Sequence, residues 1–423
     1  MEGDRRVKIR RILVIMSLLL STFLSFSPTM QELAHFPESP IQSQWHAPQM
    51  HGLWSHFVTV EQSEETKVLA TASHFAPQTV QVSYKLFGLF PLKSSEVQVM
   101  PEMSLIPGGQ SIGVTLQAKG VMVVGQAPVV GQDKKKHDPA KEAGIEIGDI
   151  LLKINDKDVK TDQDVASAVH QAGQKQEKVK VLLKHRGELA EKVLNSVYCP
   201  ETERFRIGLY VRDAAAGVGT LTFFDPISKQ YGALGHVIND VDTNQRIEVS
   251  MGQVVASNIH SIEKGRRGHP GEKVGSFVTN SSFKGTIERN TSTGIFGSLD
   301  GDIRQPYFTR PIPVGWQSDV QQGPAKIYTV IQGEQIEEFE VMIERVMPNR
   351  TDSKNMVIRI TDPRLIQATG GIVQGMSGSP IVQNGKLVGA VTHVFVNDSL
   401  RGYAVFIQNM LQDSGLISKH EAA

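Results

Sequence analysis

The sequence predicts a mainly β protein: one α+β module, then a long all-β region, behind a short apolar segment with basic flanks. Three observations predict this. From about residue 204, short apolar or alternating runs recur with Gly, Asn, Asp and Pro between them, the pattern of many short strands in a sandwich or barrel. Between 139 and 184 a helix signal, a turn and a strand follow one another closely. At the N-terminus, Arg5, Arg6, Lys8, Arg10 and Arg11 precede an apolar run over 12–26.

The N-terminal layout is that of a secretory signal. The run is short for a membrane span, which needs about 20 residues, and Ser27-Pro28-Thr29-Met30 offers no Ala-x-Ala cleavage site. Residues 1–29 are therefore expected to be a signal anchor or signal peptide, with the body of the chain outside the cytosol. The 423 residues carry 44 Lys plus Arg against 44 Asp plus Glu. That balance, with no basic stripe interleaved with aromatics, gives no footprint for nucleic acid. Cys199 is the single cysteine, so an internal disulfide is excluded and no Cys/His spacing suggests zinc.

Residues 30–100 read as a spacer and a short β region. The spacer, 30–62, holds Pro37, Pro40 and Pro48, and four histidines, His35, His46, His51 and His56, at no spacing that groups them as ligands. Then Val80, Val82 and Tyr84 alternate with polar residues, as do Val97 and Val99, which reads as two strands joined near Gly88 and Pro91.

Residues 104–197 form the α+β module. Its clearest stretch runs from Pro139-Ala140-Lys141-Glu142-Ala143-Gly144 through Gly148-Asp149 to Ile150–Ile154: a short helix ending at Gly144, a turn and a strand. This resembles the PDZ domain of bacterial proteases. Upstream, Ser111-Ile112-Gly113-Val114 is similar to the loop that receives a peptide carboxylate, so Ile112, Gly113 and Val114 are the expected peptide-binding residues, beside an open strand edge. A helix over 162–172 is expected to line the groove, and 178–184 to form a strand. Lys134-Lys135-Lys136-His137 reads as a solvated loop.

Residues 204–423 hold the chemistry. Strands are expected over 219–224, 247–255, 326–332, 338–346, 356–361, 371–374 and 387–396, and a helical period over 403–416. Asn384-Gly385 is a tight-turn pair within a hairpin. Just before it, Gly375-Met376-Ser377-Gly378-Ser379-Pro380 resembles the nucleophile loop of trypsin-like serine proteases, which implies a β-barrel-type peptidase domain. Ser377 would supply the hydroxyl, and the backbone N–H groups of Gly375 and Ser377 the oxyanion donors. Ser379 is the competing nucleophile, but Gly378 and Pro380 fit Ser377 better. A serine needs a base. His236 lies among small residues in Gly232-Ala233-Leu234-Gly235-His236, and precedes the serine as in trypsin-like enzymes. His260 lacks such a setting, His269 reads as exposed, and His393 reads as a pocket-wall or core residue. For the acid, Asp240, Asp242, Asp300, Asp302, Asp319, Asp352 and Asp362 all lie between base and nucleophile, and the residues alone do not choose between Asp302 and Asp362.

The segments 208–213, 217–224, Tyr231-Gly232-Ala233-Leu234-Gly235-His236 and 375–380, with the order of membrane segment, PDZ domain and peptidase, resemble the stage IV sporulation protein B peptidases of spore-forming Firmicutes. That resemblance implies a His, Asp, Ser triad with the acid in Thr361-Asp362-Pro363. It also implies a signalling serine endopeptidase without cofactor or metal. Such proteins are exported across the forespore inner membrane. They cut themselves, and they cut a membrane-bound regulator of the intramembrane protease that activates the late mother-cell sigma factor. The PDZ domain would bind peptide termini or strands. The alternative from another class is a PDZ scaffold with an inactive peptidase-like domain.

Overall fold

The computed structural model describes residues 14–18, 22, 41–42, 58–62, 78–278, 282–301 and 306–417. It divides into two compact units, one ending at Met103 and one spanning Ser104–Lys419. The first is a four-stranded sheet around the hairpin Gln78–Leu86 and Phe90–Val99. Phe87 and Gly88 take φ of 53° and 71° to turn it, and Val80, Val82, Tyr84 and Val97 form its small core. Val58–Gln62 pairs with the first hairpin strand, and Val60 packs onto that core. The spacer reading of 30–62 is thus corrected at its end, where Val58 and Val60 continue the period of two. Of the N-terminal apolar run, residues 14–18 and 22 are described, as helix. No helix among the described residues is long and apolar enough to cross a membrane.

The second unit is built on two six-stranded rings. In the first, Ser111–Gln126 pairs with Val249–Glu263, and the ring continues through Lys284–Thr286, Gly294–Asp300 and Gln230–Ala233 to Leu209–Phe224, which pairs back onto Ser111–Gln126. Ile112, Leu116, Leu221, Tyr231, Val254 and Ile295 fill it. The second is a closed barrel of Gly323–Val330, Ile336–Val346, Met356–Ile360, Asp398–Phe406, Lys386–Phe395 and Pro380–Gln383. Its core includes Ile327, Phe339, Ile358, Val391 and Phe406. Asn384 and Gly385 take φ of 51° and 76° at the expected hairpin turn. The helical period expected over 403–416 begins later: the strand Asp398–Phe406 runs on through Tyr403, and the helix spans Ile407–Ser414. Residues 371–374 form no strand, only a single bridge from Gln374 to Glu272.

The α+β module is inserted into the first ring. The two 16-residue strands Ser111–Gln126 and Leu209–Phe224 pair antiparallel from Thr220 opposite Ser111 to Leu209 opposite Gln126, with the register shifting between Arg212 and Ala214 and again between Tyr210 and Val211. Their near ends belong to the ring. Their far ends join Ile150–Ile154, Val179–His185 and Glu188–Leu194. The helix Asp162–Gln174 starts at a capping box between Thr161 and Asp164 and buries Val165, Val169 and Ala172, the i, i+4, i+7 face of an amphipathic helix. At its far end Phe205 lies against it: a Cβ on Gly173 would fall 2.1 Å from that ring, and the Phe205 N–H donates to His170 Nδ1.

This placement corrects the peptide-binding expectation. Ile112, Gly113 and Val114 do not edge a PDZ groove. Ile112 pairs with Gly219 on one side and Ala256 on the other, and Gly113 and Val114 are likewise flanked by two strands. A Gly-containing apolar run has the same local signature in either role; only its distant partners decide.

Candidate active site

Ser377 lies in the connection between the helix Pro363–Thr369 and the strand Pro380–Gln383. Gly375 and Gly378 take φ of 89° and 93°, a region that favours glycine. Gly378 is also pressed against the first ring, where a Cβ would lie 2.1 Å from the Thr220 carbonyl oxygen. The loop carbonyls are tied down one after another. Gln374 O accepts from the Lys273 N–H at 2.9 Å, and Gly375 O from the Thr220 hydroxyl at 2.7 Å. Met376 O accepts from the Ser379 N–H and hydroxyl, and Ser377 O from the Thr220 N–H. Gly378 O accepts from the Thr222 hydroxyl. A trans peptide points its N–H opposite to its carbonyl, so clamping Gln374 O and Met376 O turns the Gly375 and Ser377 N–H groups the other way. Neither donates to a protein acceptor among the described residues. Two outward N–H groups flanking a serine hydroxyl are what an oxyanion requires.

The Ser377 hydroxyl donates to the Thr392 carbonyl at 2.6 Å. Ser379 is fully buried with its hydroxyl turned to Met376, which removes it as a rival nucleophile. Ser377 and His236 line one cavity of about 420 Å³, with His393 and Thr392. The rest of its wall is largely apolar, including Val114, Ala215, Val218 and Ile372, and among the described residues no carboxylate, lysine or arginine lines it. No hydrogen bond joins Ser377 to His236 in this arrangement.

His236 follows Leu234 and Gly235, which take φ of 70° and 71° where the strand Gln230–Ala233 ends. Its Nδ1 lies 2.8 Å from the Val237 carbonyl oxygen. An N–H must sit between them, which leaves Nε2 as the lone-pair nitrogen. Burial pulls the His236 pKa below its ordinary value, partly offset by that carbonyl. His393 sits with its ring centroid 4.9 Å from that of His236. Desolvation, then the neighbouring His236 and Lys354, lower its pKa to about 4. His260 is bonded to Ser276, and His269 is exposed in a turn with Arg266.

Asp362 does not join this group. It is the N-cap of the helix Pro363–Thr369 and accepts from the Arg364 N–H. Its carboxylate is also held by the Arg364 guanidinium at 2.8 Å and faces the Glu340 N–H. The Arg364 contact keeps its pKa below the usual carboxylate range. The expected acid–histidine contact is therefore corrected: Asp-Pro at a helix start is a capping signal, and Arg364 two residues on completes it. Asp240 is likewise bound to Arg212 and Asp352 to Arg350, and Asp302 lies outside the described residues. Lys273 carries no sequence signal of a site, yet it lies behind the loop, where a Cβ on Gly375 would meet its side chain at 3.1 Å.

Residues 203–411 match the family model for the SpoIVB peptidase S55, and residues 135–183 match a PDZ domain. Among solved structures, the active form of the Rv3671c protease from M. tuberculosis is similar at 13% identity and a TM-score of 0.29, over 49% of this chain and 78% of that one. The HtrA-type protease AlgW with a decapeptide is similar at 13% identity and a TM-score of 0.27, over 48% and 53%.

Proposed function

Because this chain is a SpoIVB S55 serine peptidase that also carries a PDZ domain, we propose that Ser377 is its nucleophile, His236 its base, and the N–H groups of Gly375 and Ser377 its oxyanion donors. The observation that carries this reading is the loop itself: its carbonyls are tied inward and two N–H groups face out beside a serine that shares a cavity with a single-tautomer histidine. In the first step the Ser377 hydroxyl leaves the Thr392 carbonyl and turns to His236. Nε2 takes its proton as oxygen attacks the scissile carbonyl, and the two N–H groups receive the oxyanion. His236 then protonates the leaving amine, and water repeats the sequence on the acyl-enzyme. The Val237 carbonyl supplies the orienting contact that an acid supplies in a triad, without its charge. The apolar cavity wall favours uncharged side chains at the bond to be cut.

The wider role follows from the family. The enzyme is a sporulation signalling protease, exported across the forespore inner membrane and anchored by or released from its basic-flanked apolar segment. It cuts itself and a membrane-bound regulator of an intramembrane protease, and its PDZ domain binds peptide termini or strands. Two experiments test this. A fluorophosphonate probe should label Ser377 in folded wild type, mapped by peptide sequencing. N-terminal sequencing from sporulating cells should find a processed end in wild type and none in Ser377→Ala; identical processing in that variant would assign the cut to another protease.

A further inference from the structure

Lys273 is 5% exposed and sits behind the nucleophile loop, and among the described residues no carboxylate is paired with it. Its Nζ lies 2.8 Å from Thr329 Oγ1, 3.4 Å from Ser111 Oγ and 3.5 Å from Thr220 Oγ1. These hydroxyls come from both rings: Thr329 from Gly323–Val330, Ser111 and Thr220 from the paired long strands. An ammonium has three protons and no acceptor, so three hydroxyl oxygens complete it. The other charged groups on the packed elements are engaged elsewhere or face solvent. Arg212 binds Asp240, Lys326 binds Glu338, and Lys119 and Glu272 are exposed. Asp213 lies on the stretch of its strand that leads away to the inserted domain.

Both peptide planes flanking Gly375 run back to this one residue. The Lys273 N–H holds Gln374 O. Through its side chain, Lys273 reaches Thr220, whose hydroxyl holds Gly375 O. We propose that the ammonium form of Lys273 is a positioning device for the oxyanion loop, obliging the Thr220 hydroxyl to accept from Nζ and spend its own proton on Gly375 O. A neutral amine has a lone pair and competes for that proton, which frees the Gly375 carbonyl and loosens the peptide plane that follows Gly375; the Gly375 N–H is then aimed at the reacting carbonyl by the Lys273 N–H on Gln374 O alone, across a glycine that lets the two planes shift. Burial alone, with no compensating charge, pulls the Lys273 pKa down to about 7, so the two forms exchange in the neutral range.

This inference rests on Ser377 acting as the nucleophile, and its test separates the two. Full-length wild type, Lys273→Met, Lys273→Arg, Thr220→Val and Ser377→Ala are compared for kcat and KM on one peptide substrate and for the rate of fluorophosphonate labelling, across pH 6 to 9. Removing a single oxyanion donor costs about 100- to 1,000-fold in kcat, so a loosened donor in Lys273→Met should cost about 10- to 100-fold with KM little changed. Wild-type kcat should fall as pH rises through about 7. That fall should vanish in Lys273→Met, and in Lys273→Arg, whose charge does not titrate here, activity should persist at higher pH. Thr220→Val cuts the relay but keeps the lysine, and should lose both kcat and the alkaline fall; it decides the matter where Lys273→Met does not fold. Wild-type kcat in Lys273→Met, or an unchanged alkaline fall in Thr220→Val, overturns the positioning role while Ser377 labelling stands. No labelling of Ser377 in wild type overturns the nucleophile and this role together.

Discussion

The hydroxyl of Ser377 is hydrogen-bonded to the carbonyl of Thr392, on the strand that borders the cavity, at 2.6 Å. That contact occupies the hydroxyl of the proposed nucleophile, so the proposed mechanism begins with one side-chain rotation. In the proposed mechanism the pair acts as a unit, so Ser377→Ala and His236→Ala should each lower turnover by several orders of magnitude, and the double variant should be little worse than either. Steady-state rates on purified, folded variants decide this; additive losses would separate the two residues.

The paired histidines give a second expectation. His236 has its tautomer fixed by Val237, whereas the His393 ring is hydrogen-bonded to nothing among the described residues and its pKa is lowered to about 4. His393→Asn should therefore keep activity within about tenfold, while His236→Asn should lose the 100- to 10,000-fold contribution typical of a general base. The acid limb of kcat/KM should fall below the ordinary imidazole value of about 6.5, since burial lowers the His236 pKa and the neutral base survives to lower pH. A limb at or above that value would remove His236 from the role.

Asp362 yields a prediction about stability. Asn is as good an N-cap as Asp, so Asp362→Asn should be mild, losing chiefly the Arg364 contact. Asp362→Ala should cost about 1 kcal/mol by loss of the cap. Chemical denaturation measures this. A collapse of kcat in Asp362→Asn at unchanged stability would restore the acid to the catalytic unit.

Gly113 tests the corrected peptide-binding assignment. A Cβ there would lie 2.4 Å from the Phe277 ring, on the face of the strand opposite to Ile112 and Val114, which fill the first ring. Gly113→Val should cost about 1–3 kcal/mol by overpacking and depress peptide and small-ester hydrolysis together. Ester hydrolysis left intact while peptide cleavage disappears would point back to a recognition role.

Lys273 also predicts a pH dependence of stability. Its folded pKa, about 7, lies below the unfolded value of about 10.4. Between them the unfolded chain binds a proton that the folded one does not, so stability rises with pH across that window. At pH 7 and below the cost of burying the lysine is nearly fully felt. Lys273→Met should melt higher at neutral pH and lose the upward slope, as calorimetry at pH 7 and pH 9.5 would reveal.

Local chemistry made much of this legible. The Asn384-Gly385 turn, the helix stop at Gly144 and the glycines around Ser377 each impose a backbone conformation that few other residues accept. What escaped was non-local. Ile112-Gly113-Val114 reads alike as a loop-and-edge or as a central strand until Gly219 and Ala256 are seen on either side. Asp362 was visible as an acid before a proline, but its partner Arg364 made it a cap. Lys273 occupies an inward position of the strand Glu272–Val278, whose burial alternates at its start; a charge there reads as solvent-facing because its three hydroxyl partners are scattered through the sequence.

The insertion of the PDZ module between two adjoining ring strands has a consequence for how the chain is made. Ser111–Leu116 leaves the ribosome early, but both of its neighbours, Ala215–Thr220 and Gly252–Ala256, lie beyond the inserted domain. The inserted domain is therefore complete before the ring can close, and the serine arrives later still. Until then an apolar strand waits with two bare edges.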